Sequence, residues 1–203
     1  FKSEGTNFTG SLLIGHSNTG VINNAQNNTG IGIGALDALT TGDNNVAIGK
    51  NAGTLINSGT ENVFIGQASG DALTTGNYNV AVGHETLSNE DTHGGNTAIG
   101  HLALRALTTG GRNVAIGHEA LSTEDETGYA VAIGYQALRV QNSGSNTYNV
   151  AIGYNAGESV TTGQQNILIG GLAGDALTVG ERNTVLGYSA LSAEDTGGHN
   201  TAI

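Results

Sequence analysis

An aliphatic residue followed by glycine returns along this 203-residue chain with the regularity of a ruler. The glycines are Gly15, Gly32, Gly49, Gly66, Gly83, Gly100, Gly117, Gly134, Gly153, Gly170 and Gly187. The interval is 17 residues except between Gly134 and Gly153, where it is 19. A unit that short cannot enclose a core of its own, so it has to bury its apolar face against its own copies, which confines the chain to stacked-repeat architectures. The two extra residues of the long interval fall within Asn142–Thr147, a polar stretch in which a loop absorbs them.

Within a repeat the residue before the glycine is Ile, Val or Leu, Ala usually stands one place earlier, and Val or Thr usually precedes that (Val46-Ala47-Ile48, Val80-Ala81-Val82, Thr97-Ala98-Ile99). Alternation over so few residues, with no helical period between, specifies a short strand in every repeat. One repeat is then one coil. The fold class expected is all-β, a parallel β-solenoid or β-roll of 17-residue coils, and at the strand spacing of about 4.8 Å eleven coils make an elongated rod on the order of 50 Å long. Val/Thr and Ile are expected to point into the coil. The face carrying Ala47, Ala81, Ala98, Ala115, Ala132, Ala151 and Ala202 with the glycines would then look outward, as a small-residue surface for another chain.

The second half of the repeat carries an exchange of size. Where the fourth residue after the glycine is Gly (Gly53, Gly70, Gly157, Gly174), the residue three later is Ile56, Leu73, Val160 or Leu177. Where it is Leu (Leu87, Leu121, Leu138, Leu191), the later one is Glu90, Glu124, Gln141 or Glu194. Close packing penalises a void and an extra methylene alike, so the exchange marks core filling. Asparagine forms a column four residues before the glycine: Asn28, Asn45, Asn62, Asn79, Asn96, Asn113, Asn149, Asn166, Asn183 and Asn200, broken at Ser11 and Ala130. Stacked asparagines hydrogen-bond to their copies and tolerate turn geometry, so this is expected to be a structural ladder.

Residues 1–10 are read as a lead-in or the end of a preceding repeat, and 11–203 as about eleven stacked coils, truncated in mid-repeat. A longer period overlies the coil. Gly70-Asp71-Ala72-Leu73-Thr74 returns as Gly174-Asp175-Ala176-Leu177-Thr178, 104 residues or six coils on.

The runs Asn96-Thr97-Ala98-Ile99-Gly100-His101, Asn113-Val114-Ala115-Ile116-Gly117-His118 and Val131-Ala132-Ile133-Gly134-Tyr135-Gln136-Ala137-Leu138 resemble two related families. One is the YadA-type head repeat of trimeric autotransporter adhesins, and the other is the Asn-Thr-Ala-Ile-Gly-Tyr-Gln-Ala-Leu class of phage tail fibres. The similarity runs from Ser11 to the end. It implies a left-handed coil, a homotrimer or longer filament as the partner state, and a place outside the cell, on a virion or cell surface.

Other chemistry is sparse. Six Lys and Arg against 17 Asp and Glu leave a formal charge of −11, which disfavours nucleic acid and anionic membranes. No run reaches the 18 apolar residues of a membrane-spanning helix. His16, His84, His101, His118, Tyr135, Tyr154 and Tyr188 follow the repeat glycine. A stacked aromatic ladder is the preferred reading, with His84, His101 and His118 as metal-site candidates by the alternative one. The acidic pairs Glu90-Asp91, Glu124-Asp125 and Glu194-Asp195 are read as solvated loop charges, with calcium as the alternative and no other cofactor expected.

With no nucleophile elbow, phosphate loop or cysteine, and with a convex rod offering no cleft, an enzyme is not expected. The function expected is a structural and adhesive segment of a phage fibre or bacterial surface adhesin, its loops facing an unspecified receptor. The alternatives are a self-assembling extracellular filament and an ice-binding solenoid. The last is suggested by Thr40-Thr41, Thr74-Thr75, Thr108-Thr109 and Thr161-Thr162, a series interrupted at Asn57, Asp91, Asp125 and Asp195.

Overall fold

A computed structural model describes residues 2–5, 8–15, 23–89, 92–126 and 128–203. Its strands form one 13-stranded sheet in chain order. β1 (Lys2–Gly5) lies antiparallel to β2 (Phe8–Ile14). From β2 onward every neighbour is parallel: β3 (Thr29–Ile31), β4 (Val46–Ile48), β5 (Val63–Ile65), β6 (Val80–Val82), β7 (Thr97–Ile99), β8 (Val114–Ile116), β9 (Val131–Ile133), β10 (Val150–Ile152), β11 (Ile167–Ile169), β12 (Thr184–Leu186) and β13 (Thr201–Ala202). The chain is an all-β solenoid of stacked 17-residue coils, with no helix among the described residues. Register is one coil at every step, as in Val46↔Val63 and Thr97↔Val114. β9 and β10 keep it across the 19-residue interval, Val131↔Val150, because the extra length is taken up where Asn142, Gly144, Ser145 and Asn146 are exposed.

The coil closes through a second wall that pairs coil to coil without being a regular strand. Leu87 N–H donates to the Ala103 carbonyl, Leu104 to Ala120, Leu121 to Ala137 and Leu138 to Ala156, at 3.0–3.1 Å. Corners between the walls are made by residues with left-handed backbone, among them Leu102 (φ +61°), Leu104 (φ +50°) and Arg112 (φ +61°). An L-residue pays roughly 1–2 kcal/mol for that conformation. The repeat glycine turns more sharply still. Gly100 has φ +126°, and a Cβ there would lie 2.5 Å from the Gly117 carbonyl oxygen, so stacking itself excludes a side chain.

The strand faces are the reverse of the expectation from sequence. The middle residue points inward: Ala47, Ala81, Ala98, Ala115, Ala132 and Ala151 are fully buried, whereas Ile48 and Ile65 are 38% exposed and the Val and Thr rungs are half-buried. The reason is volume. The interior is already occupied by Leu39, Ile56, Leu73, Leu104, Leu107, Leu121 and Leu138 from the opposite wall, all fully buried. In most coils a methyl group is what fits across from them. Larger rungs occur at Leu13, Phe64, Leu168 and Val185, and for two of them the provision is a pair of glycines. Phe64 faces Gly53 and Gly70, and Leu168 faces Gly157 and Gly174, so that a Cβ at Gly53 would come within 2.7 Å of the Phe64 ring and one at Gly157 within 2.6 Å of Leu168.

Candidate functional surfaces

The asparagine column is internal and fully hydrogen-bonded. Asn28 through Asn183 are completely buried, and Asn200 at the last rung is half-buried. Along the column a side-chain oxygen accepts the backbone N–H of the next rung: Asn45 from Asn62 at 3.1 Å, Asn62 from Asn79 at 2.9 Å, Asn113 from Ala130 at 3.0 Å and Asn166 from Asn183 at 3.0 Å. The side-chain amide donates to a carbonyl 14 residues on, as Asn28 to Gly42 and Asn62 to Gly76. Ser11 fills the first rung by accepting from Asn28 N–H at 2.8 Å. At the other break, Ala130, a different network takes over: Gln141 donates to Glu124 at 2.9 Å and accepts from Asn149 at 2.7 Å.

That network corrects the reading of the acidic pairs. Glu124 is fully buried and is a polar plug of the coil, not a solvated loop charge. Glu194 likewise turns back on its own chain, accepting from Gly197 N–H at 2.7 Å. Glu90 and Asp91 lie outside the described residues. The sequence had a signal for the burial of Glu124, since Ala130 removes the asparagine that elsewhere fills that space.

On the outside, the Val/Thr and Ile rungs of β2 to β12 form one continuous apolar strip. Ile14, Ile167 and Leu186 are its most exposed points. A contiguous run of this length is unlike the singly scattered apolar residues of an ordinary soluble surface. One border of the strip is the ring ladder. His84 stacks on His101 at 5.3 Å between centroids, His101 meets His118 at 5.1 Å, His118 stacks on Tyr135 at 5.1 Å and Tyr135 on Tyr154 at 5.4 Å. Rings stacked this way turn faces toward one another, whereas chelation needs ring nitrogens converging within about 2.1 Å of one ion. No group of three or more His, Cys, Asp or Glu able to hold a metal occurs among the described residues. His16 lies outside them.

In the threonine series the first member of three pairs bonds to the neighbouring coil, while Thr41, Thr75, Thr109 and Thr162 are exposed. Thr40 donates to the Asn57 carbonyl at 3.0 Å, Thr108 to Asp125 at 2.7 Å and Thr161 to Thr178 at 3.2 Å.

The other border of the strip is a second exposed column, just before the asparagines: Asn44, Glu61, Tyr78, Gly95, Arg112, Tyr129, Tyr148, Gln165 and Arg182. Beside it the rod is not convex. A cleft of about 450 Å³ opens against Tyr78, Gly95, Arg112 and Tyr129, which corrects the expectation that the surface offers none. Sequence reasoning overlooked this column because its members differ in type, and its only constant is backbone geometry. No protein-family model, curated protein or solved structure matches the chain.

Proposed function

We propose that the chain is a structural and adhesive repeat segment of an extracellular fibre, on a virion or cell surface, assembled from copies of itself. The observation that carries this reading is the Val/Ile strip. Eleven successive coils contribute to it, the extent that a stable side-by-side interface needs. It is straight and runs the length of the rod, and a second copy presents the same spacing of rungs, so side-by-side packing of identical rods buries the whole of it. This replaces the Ala/Gly face as the interface, because that face is the coil interior. Three copies is the number that the resemblance to trimeric adhesin heads implies. In this reading coils supply length and stiffness, and the exposed columns beside the strip supply contact surface; no catalytic step is involved.

The test is the solution mass by light scattering after size exclusion, on the chain and on an Ile99→Lys, Ile133→Lys double variant. The expected result is a multiple of the 20.4 kDa chain mass for the parent and the single-chain mass for the variant. A monomeric parent at high concentration overturns the assembly and leaves the single-chain filament or ice-binding readings.

A further inference from the structure

From Asn27 to His199 the exposed column beside the asparagines carries a side chain at every rung except one. Tyr129 stacks on Tyr148 at 5.3 Å, and Arg112 lies over the Tyr129 ring at 5.5 Å while donating to its hydroxyl at 2.6 Å. Further along, Arg182 donates to Gln165 at 3.0 Å. Between Tyr78 and Arg112 the rung is Gly95. Backbone geometry does not demand a glycine there. Gly95 has φ +77°, but Tyr78, Arg112, Tyr129 and Tyr148 carry side chains at φ +52° to +66° in the same place of their coils. A Cβ on Gly95 would meet nothing closer than Arg112 Cγ at 3.5 Å, an ordinary contact. The gap is therefore room left open, and it forms part of the 450 Å³ cleft.

We propose that this missing rung is a binding slot for one ring of a short neutral oligosaccharide, held between the Tyr78 ring and the Arg112 side chain. The inference rests on reading the rod as a display scaffold and names the class of receptor it would take.

Tyr78 and Arg112 stand two coil spacings apart, about 9.6 Å, on either side of the glycine rung. A ring with an apolar C–H face packs against an exposed tyrosine ring. The ring of Tyr78 is 63% exposed, so its face is open to a C–H face of a sugar.

Length agrees with more than one ring. Under the slot, Gly94, Gly111 and Gly128 occupy three successive coils at the place where other coils carry Asp43, Thr60, Asn77, Gln164 and Glu181. The resulting trough ends at Asn77 on one side and Asn146 on the other. That is four coil spacings, about 19 Å between end residues, so the trough offers polar contacts beyond the ring held in the slot. Hydroxyl, amide, carboxylate and imidazole groups of Thr92, Asn146, Glu126 and His93 line it, a mixed set of donors and acceptors matched to hydroxyls. The Arg112 guanidinium is already engaged with Tyr129, and the chain's charge of −11 repels anionic glycans, so the neutral class is favoured.

The experiment is titration calorimetry and ligand-observed NMR with maltotriose, cellotriose and chitotriose, and with sialyllactose as the anionic comparison. The expected result is saturable binding of at least one neutral trisaccharide, weakened more than tenfold by Gly95→Tyr and by Tyr78→Ala, and unchanged by His101→Ala in the opposite column. Gly95→Tyr is expected to keep the parent melting temperature, because tyrosine already occupies that place in three other coils. Saturable binding of none of the neutral sugars, preference for sialyllactose, or a Gly95→Tyr variant that binds like the parent would each overturn the slot. The mass of the same samples is read in parallel. A parent that forms the multimer but binds no neutral sugar counts against the slot alone, and a parent of single-chain mass that binds sugar counts against the assembly alone.

Discussion

The ring of Phe64 occupies the space that a side chain at Gly70 would need. Neither residue is intelligible alone: Phe64 stands where its neighbours have Ala47 and Ala81, and Gly70 stands where Leu87 and Leu104 occur. The left-handed backbone does not require glycine at this place, since Gly70 has φ +58° and Leu87 φ +51°.

Phe64→Ala is accordingly expected to cost about 3–5 kcal/mol by leaving a cavity in a closed coil. Gly70→Leu alone is expected to destabilise by a clash with the ring. Combining Phe64→Ala with Gly53→Leu and Gly70→Leu copies the neighbouring coils and is expected to recover most of the loss. Denaturant melts of the four proteins measure the coupling; additive effects would remove the packing relationship.

For the asparagine column, Asn62→Ala leaves the Asn79 N–H and the Gly76 carbonyl without their partners. With each orphaned buried group costing about 1–3 kcal/mol, a loss of roughly 2–4 kcal/mol is expected. Asn62→Ser is expected to lose less, because Ser11 shows that a hydroxyl in this column accepts the neighbouring N–H at 2.8 Å. Equal melting midpoints for the Ala and Ser variants would count against the ladder as the source of stability.

Asp71 supplies a pH dependence. Burial raises its carboxyl pKa above the ordinary 3.8, the Glu85 charge adds to the rise, and hydrogen bonds from the Asp71 and Ala72 backbone oppose it. Its buried Oδ1 has no hydrogen-bond partner. A carboxyl with a raised folded pKa favours the folded rod most when protonated, below the unfolded value, and loses that contribution as pH rises through the folded value. Asp71→Asn is therefore expected to match the parent at the acid end and to become progressively more stable than it as pH climbs, levelling off by neutrality. Parallel pH–stability curves for the two proteins would refute this.

Most of the architecture was legible in the sequence because repetition turns each structural demand into a column. The 17-residue glycine interval, the Val-Ala-Ile alternation and the asparagine column each map onto a wall, a strand and a buried ladder. The inward face was misread because alternation defines two faces and does not say which is inside. Side-chain size suggested Ile, whereas the interior was already filled from the far wall by Leu107 and its counterparts. The clue lay in the pairing of Phe64 with Gly53 and Gly70, and of Leu168 with Gly157 and Gly174, since a large residue compensated by glycines eleven residues before and six after faces the same enclosed space. The slot at Gly95 was illegible for a different reason. It is an absence within a column of unlike residues, and only the stacked geometry shows that a rung is missing.

The strand pairing has a mechanical corollary. From β2 to β13 each strand bonds only to the coils before and after it, at one fixed register. A coil in the middle of the rod thus meets the same neighbours whatever the total number, and energy accumulates as a sum of nearest-neighbour steps. Whole coils can be added or removed without redesigning the rest, so the reach of the rod can drift over generations while its cross-section stays constant. Under tension such a stack is expected to open from its ends, coil by coil, because an end coil has one neighbour to lose where a middle coil has two.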